Sequence, residues 1–180
     1  MEADWEIEIG GDAPVIDAHW PGLVDLRAET GRVQEIVETQ LLPGLAEALM
    51  RLNSAESPVW TCKTDVFVPE RIDPDELSAT VDEATCAIAC YIDVLMRGDQ
   101  AWNFPFKAER ACRQLCARLR EIPLRCCRVD LVIRRARVGD LNDLGATAYL
   151  TACGSTSTDA RARLAECLSA FAGVIVPRAK

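Results

Sequence analysis

An α+β fold with a mostly antiparallel sheet of about six strands and its helices packed on one face is what this 180-residue sequence predicts. Three observations carry that expectation. Apolar residues alternate with period two in six segments and recur with helical spacing in others. The strand-like segments come in adjacent pairs, which favours hairpins and antiparallel ladders. The run reads ββα-ββα-ββα, and helices laid on one face of a sheet are its simplest packing. Apolar residues at 49% and charged residues at 27% are enough for one core, so residues 1–180 read as a single domain.

Trp5-Glu6-Ile7-Glu8-Ile9 alternates and reads as the first strand. Gly10-Gly11-Asp12-Ala13-Pro14 is a turn, and Val15 to Trp20 is a second strand ended by Pro21-Gly22. From Glu29 to Leu52 the spacing of Val33, Ile36, Val37, Leu45, Ala48, Leu49 and Leu52 is helical, with a break expected at Pro43-Gly44. Val59 to Val68 is rich in strand formers. The next stretch is acidic, and Asp73-Pro74-Asp75-Glu76 has the form of an N-cap and a first helical turn. Thr85 to Met96 suits a central strand, with a helix as the competing reading because Ala and Leu are good helix formers.

Lys107 to Ile122 is the clearest helix. Ala108, Ala111, Cys112, Leu115, Leu119 and Ile122 fall in one arc at 100° per residue, and the basic residues fall outside it. Pro123 stops it. Cys126 to Ala136 and Gly145 to Cys153 form the last strand pair, joined by a turn at Gly139 to Leu144. Ser155 to Ser157 supply capping hydroxyls for a final helix, Asp159 to Ala172, with Leu164, Cys167, Leu168 and Phe171 inward. Cys62 to Val68 parallels Cys127 to Ile133, which suggests an internal pseudo-repeat of about 45–97 and 108–153.

Alternation assigns each strand an apolar and a mixed face. Cys62, Thr64 and Val66 oppose Thr61, Lys63, Asp65 and Phe67. Ile88, Cys90, Ile92 and Val94 oppose Tyr91 and Asp93. Val129, Leu131 and Ile133 oppose Arg128, Asp130 and Arg134, and Ala148 and Leu150 oppose Thr147, Tyr149 and Thr151. Asp17 and His19, the only histidine, oppose Ile16 and Ala18. The mixed face is a solvated outer surface, a dimer interface or a ligand groove, and long connections such as 69–83 and 98–105 could wall such a groove.

Net charge is −8 but unevenly spread. Residues 1–100 hold 21 acids and 6 bases, hence −15, and residues 101–180 hold 7 acids and 14 bases, hence +7. The two halves can complement each other within one fold or across a homodimer, or the second half can hold a local anion site. A pI near 4.8 and basic segments without aromatics after Phe106 argue against nucleic acid. No run approaches the roughly 20 apolar residues of a membrane span, and the acidic N-terminus lacks an apolar signal core. Nine cysteines in such a chain point to a reducing, cytoplasmic setting. Their spacing reads as packing of small hydrophobes, with no metal site. No residue pattern asks for a cofactor.

Two functions from different classes follow. The first is a binding or assembly module that uses the polar sheet face, with Lys63, Arg128, Arg134 and Tyr149 as ligand-binding candidates. Its partner is a second copy of the chain, another protein or a small anionic ligand. The second is a small acid–base or hydrolase-like enzyme on the same face, with His19, Asp17, Asp65, Tyr91 and Asp130 as catalytic candidates. Lys63/Asp65 and Arg128/Asp130 each set a base and an acid two apart on one face. As partners across neighbouring strands, each pair would add ~0.2–1 kcal/mol. A third arrangement, Arg128 with Arg134 and Arg135, would form an anion site. Gly154 to Thr158 reads as a helix cap, without the spaced glycines and lysine of a phosphate loop.

Overall fold

The computed structural model describes residues 1–98, 102–139 and 141–177, and only the backbone of Pro43, Leu141 and Asn142. Its strands are β1 (Glu2–Glu8), β2 (Ile16–Asp17), β3 (Val59–Phe67), β4 (Cys86–Met96), β5 (Cys127–Val138) and β6 (Leu141–Gly154). Its helices are α1 (Glu38–Leu41), α2 (Pro43–Leu52), α3 (Pro105–Arg120) and α4 (Ser157–Ile175). Together they form an α+β fold on one six-stranded sheet of order β1-β5-β6-β4-β3, with β2 also along β5. No helix among the described residues is long and apolar enough to cross a membrane.

The sheet is mostly antiparallel: β3 pairs β4, β4 pairs β6, and β5 pairs β6. The order does not follow three ββα units, because the first two strands are not a hairpin. Both β1 and β2 lie parallel to β5, at Arg128 to Arg134 and at Ala136 to Arg137. Between Glu8 and Ile16 the chain advances eight residues while β5 advances two, so the glycine-rich segment bows outward. Arg135 donates to the carbonyls of Gly10 and Gly11 and ties that bow down. The expected second strand shrinks accordingly, and Ala18 N–H makes the last backbone bond, to Arg137 at 3.0 Å.

Helices cover one face. Ile88, Cys90, Ile92 and Val94 of β4, Val129, Leu131 and Ile133 of β5, and Ala148 and Leu150 of β6 join one buried cluster with α2, α3 and α4. Phe171, Leu164, Cys167 and Leu168 of α4 are fully buried there. Thr156 caps α4 by accepting from Asp159 N–H at 3.1 Å. The long helix expected over 29–52 is divided. A 3-10 turn at Thr30–Glu35 precedes α1, and Pro43 opens α2 at the first-turn position where its missing N–H does no harm. Gly44 lets α2 approach α4, since a Cβ there would lie 2.7 Å from that of Ala165. The helical turn expected at 73–76 becomes two 3-10 turns, Asp75–Leu77 and Asp82–Ala84.

The opposite face is neither bare nor uniformly polar. At one end Ile16, Ala18, Trp60, Cys62, Leu95 and Ala136 form a second apolar cluster beneath the 16–23 segment. At the other, Leu77, Ala87, Cys126 and Cys153 form a third beneath the 69–84 connection. The polar residues lie between these two lids.

Candidate functional site

A register shift in β3 sets up the site. Thr61 pairs Val94 and Lys63 pairs Asp93, so Cys62 is the extra residue of a bulge. The bulge overturns the alternation expected from the sequence at this point. Thr61 shares the helix face with Val94, Cys62 joins the outer cluster beside Trp60, and Lys63 and Asp65 stay on the polar face. Asn53, fully buried after α2, holds the bulge in place. Its amide nitrogen donates to Leu49 O at 2.8 Å and to Thr61 Oγ1 at 2.7 Å, and its oxygen accepts from Thr61 N at 3.0 Å.

Lys63 thereby stands across from Asp93, Tyr91 stands across from Tyr149, and Thr147 stands across from Asp93. These side chains floor a recess of about 320 Å³ whose wall is Pro14, Val15, Ile16, Asp17 and Trp20. Trp20 is fixed in that wall because its indole N–H donates to Cys62 O at 2.7 Å. Gly22 leaves room for the ring, since any Cβ there would collide with it. Lys63 Nζ lies 5.8 Å from the Trp20 ring centroid.

Asp93 is the buried charge of the recess, 7% exposed. Thr147 Oγ1 donates to its Oδ1 at 2.6 Å, and Oδ2 has no hydrogen-bond partner among the described residues. Burial pushes the Asp93 carboxyl up, against the pull of the Thr147 bond and of the Arg134 and Lys63 charges. Burial also pushes the Tyr91 phenol up, against the Lys63 ammonium beside it. Tyr91 and Tyr149 rings meet at 6.0 Å, tilted. Arg134 donates to Glu8 from Nε and Nη2, at 3.0 and 2.7 Å, and to Thr147 Oγ1 and Tyr149 Oη from Nη1, each at 3.2 Å.

Past Arg134 and Tyr149 the recess opens into a second hollow of about 430 Å³ lined by Asp4, Glu6, Arg128, Asp130 and Val132. Arg128 and Asp130 extend it to a third, of about 130 Å³, under Arg71, Asp73 and Glu76 of the 69–84 connection. The three make one trough across the polar face. That connection is one of the two expected as walls; the other, 98–105, lies partly outside the described residues.

The sequence candidates separate within this geometry. Lys63, Tyr91, Arg134, Tyr149 and Asp17 line the recess. Arg128 and Asp130 line the trough but are closed on each other, with Arg128 Nε 2.8 Å from both carboxylate oxygens. This pair sits within one strand. It is not matched across strands by Lys63/Asp65, because β6 and β4 stand between β5 and β3. Asp65 accepts from its neighbour Val66 N–H at 2.8 Å. His19 is exposed; its Nδ1 accepts from Gly139 N–H at 3.2 Å, and Asp17 bonds its backbone N–H rather than the ring. Arg135 faces the Gly10 and Gly11 carbonyls, so Arg128, Arg134 and Arg135 each have an internal partner.

Among the polar and aromatic residues that line the recess, three were not marked by the sequence as site residues: Asp93, Trp20 and Thr147. Asp93 left a legible trace, as the only charge between Cys86 and Met96. Alternation also placed Thr147 on the polar face, beside Tyr149, whereas Trp20 left no trace. The cysteines lie apart from the trough floor. All nine are free and eight are buried, and burial pushes Cys62, Cys90 and Cys112 up to about 12. Among the described residues, no group of three His, Cys, Asp or Glu side chains is placed to hold a metal ion. Set against protein-family models, curated proteins and solved structures, the chain matches none.

Proposed function

We propose that this chain is a ligand-binding module that works through the polar face of its sheet and takes a small anionic ligand in the recess over Tyr91, Asp93, Thr147 and Tyr149. The observation that carries this reading is Lys63. Arg128 and Arg134 are paired with Asp130 and Glu8, at 2.7 Å in each case. The Lys63 ammonium has no carboxylate within 4.0 Å among the described residues, and it stands at a concave site beside phenolic hydroxyls. A recess of about 320 Å³ is at the lower end of ligand pockets, which run ~300–1,000 Å³.

Thermal unfolding tests the reading. Phosphate, sulfate and small carboxylates should raise the melting temperature saturably at constant ionic strength, because binding to the folded state alone stabilises it. Lys63→Ala should remove the effect. A panel of anions that shifts nothing beyond a sodium chloride control would sink the proposal.

An acid–base enzyme on the same site is the second reading, and Asp93 favours it. A buried carboxyl held above the ordinary carboxylate range in a recess is the kind of group that exchanges protons with a substrate. This reading expects turnover whose pH profile loses its acidic limb in Asp93→Asn while folding stays intact. A profile that instead follows His19→Ala would move the chemistry to the 16–20 segment.

A further inference from the structure

We infer that the ligand of this recess is bifunctional: a hydroxy- or amino-carboxylic acid whose carboxylate meets Lys63 and whose hydroxyl or ammonium donates to Asp93. The inference rests on the recess being a ligand site, and it names the class of ligand.

Asp93 and Lys63 are directly paired in the β3–β4 register, so their Cβ atoms lie about 5 Å apart. Their charges nonetheless do not close into an ion pair within 4.0 Å. Asp93 spends one oxygen on Thr147 at 2.6 Å. Its other oxygen faces a site where the described protein offers no donor, although the residue is only 7% exposed. That oxygen is not sealed from solvent, because among the described residues only Arg163 Nη1 is a buried side-chain nitrogen or oxygen without a partner; it is therefore open to a donor that enters the recess. A simple anion satisfies Lys63 but meets the Asp93 charge. A simple cation satisfies Asp93 but meets Lys63 and Arg134. Only a molecule with both groups completes the site without placing like charges together.

The wall specifies the rest of the molecule. Pro14, Val15, Ile16 and Trp20 offer apolar surface opposite the phenols of Tyr91 and Tyr149. The volume holds roughly ten water-sized groups. An acid with a compact apolar or aromatic body fits that space and that surface.

Calorimetric titration of the full chain with four compounds tests this. They are phenyllactate, phenylalanine, 3-phenylpropionate, which lacks the donor, and 2-phenylethanol, which lacks the carboxylate. Phenyllactate or phenylalanine should bind about 10-fold or more tighter than both single-group compounds, because a site built to pair a polar group rejects the analogue without it. Asp93→Ala should erase that advantage and leave 3-phenylpropionate unweakened. Equal affinity for 3-phenylpropionate and phenyllactate would overturn the inference and leave a plain anion site standing. No binding by these four, together with none by inorganic phosphate, would overturn both. The comparison on the native chain decides the matter even where the Asp93 variant fails to fold.

Discussion

Two base–acid pairs with the same two-residue spacing end in different states. In β5, Arg128 and Asp130 neutralise each other at 2.7 Å. In β3, Lys63 and Asp65 stay apart, and Asp65 turns back to Val66 N–H. The strands explain the difference. β5 has neighbours on both sides, and its pair lies flat beside the 69–84 connection. β3 is an edge strand with a bulge just before Lys63, which offers the ammonium to Asp93 and Trp20 instead. A spacing pattern puts charges on a face. The position of the strand in the sheet determines whether they cancel or remain available.

The largest effect expected from this picture lies through the sheet. Leu150 is fully buried on the helix side, and Leu150→Ala should cost ~2–5 kcal/mol in urea unfolding. Its neighbour Tyr149 faces the trough, and Tyr149→Phe removes only the Arg134 bond, worth ~0.5–1.5 kcal/mol. Similar losses for the two would break the division into a packed face and a working face.

Asn53→Ala comes next. It strips the bulge of the two hydrogen bonds between Asn53 and Thr61, loses a third to Leu49 O, and leaves buried Thr61 groups unpaired, at a cost of ~1–3 kcal/mol. NMR shifts of Lys63 and Tyr91 should move with it. Unmoved shifts would mean that the bulge does not depend on Asn53.

Along the face the effects are smaller. Asp130→Ala should cost up to ~1 kcal/mol, since half-exposed ion pairs contribute little. Lys63→Ala should stay within about 0.5 kcal/mol, because it breaks no ion pair. Equal losses would show that Lys63 is held by the protein as firmly as Arg128 is, and would remove the contrast on which the ligand reading stands.

Asp93→Asn has a sign rather than a size. The folded chain holds the Asp93 proton more firmly than the unfolded chain does, because burial raises the carboxyl. Above its raised folded value, the ionised group therefore works against folding. Stability from this group is gained as pH falls through that value toward the ordinary carboxylate range. Asp93→Asn should be more stable than the native chain at pH 7, with the advantage fading as the solution is acidified. A variant less stable at pH 7 would mean that Lys63 and Arg134 outweigh burial.

Much of this was legible in the residues. Period-two runs marked β3 to β6, and the arc from Ala108 to Leu119 marked α3. The polar-face identity of Lys63, Tyr91, Arg134 and Tyr149 followed from alternation alone. The flip at Thr61 and Cys62 was not legible, because one inserted residue inverts every earlier assignment in its strand and Asn53, which stabilises it, lies on another element. Asp93 was visible as a polar-face residue, but its burial depends on the 16–20 segment and on β6.

By itself the sequence determined the two faces of β4, β5 and β6, the places of α3 and α4, and that the sheet has two unlike sides. Those are local properties: side-chain periodicity follows from backbone geometry within a few residues. Only the tertiary structure decided that β1 and β2 both run parallel to β5, that β3 and β5 are not neighbours, and that apolar lids close both ends of the polar face. Pairing and register join residues far apart in the chain, as with Glu8 and Arg134, and no local pattern encodes which strand a given edge will meet.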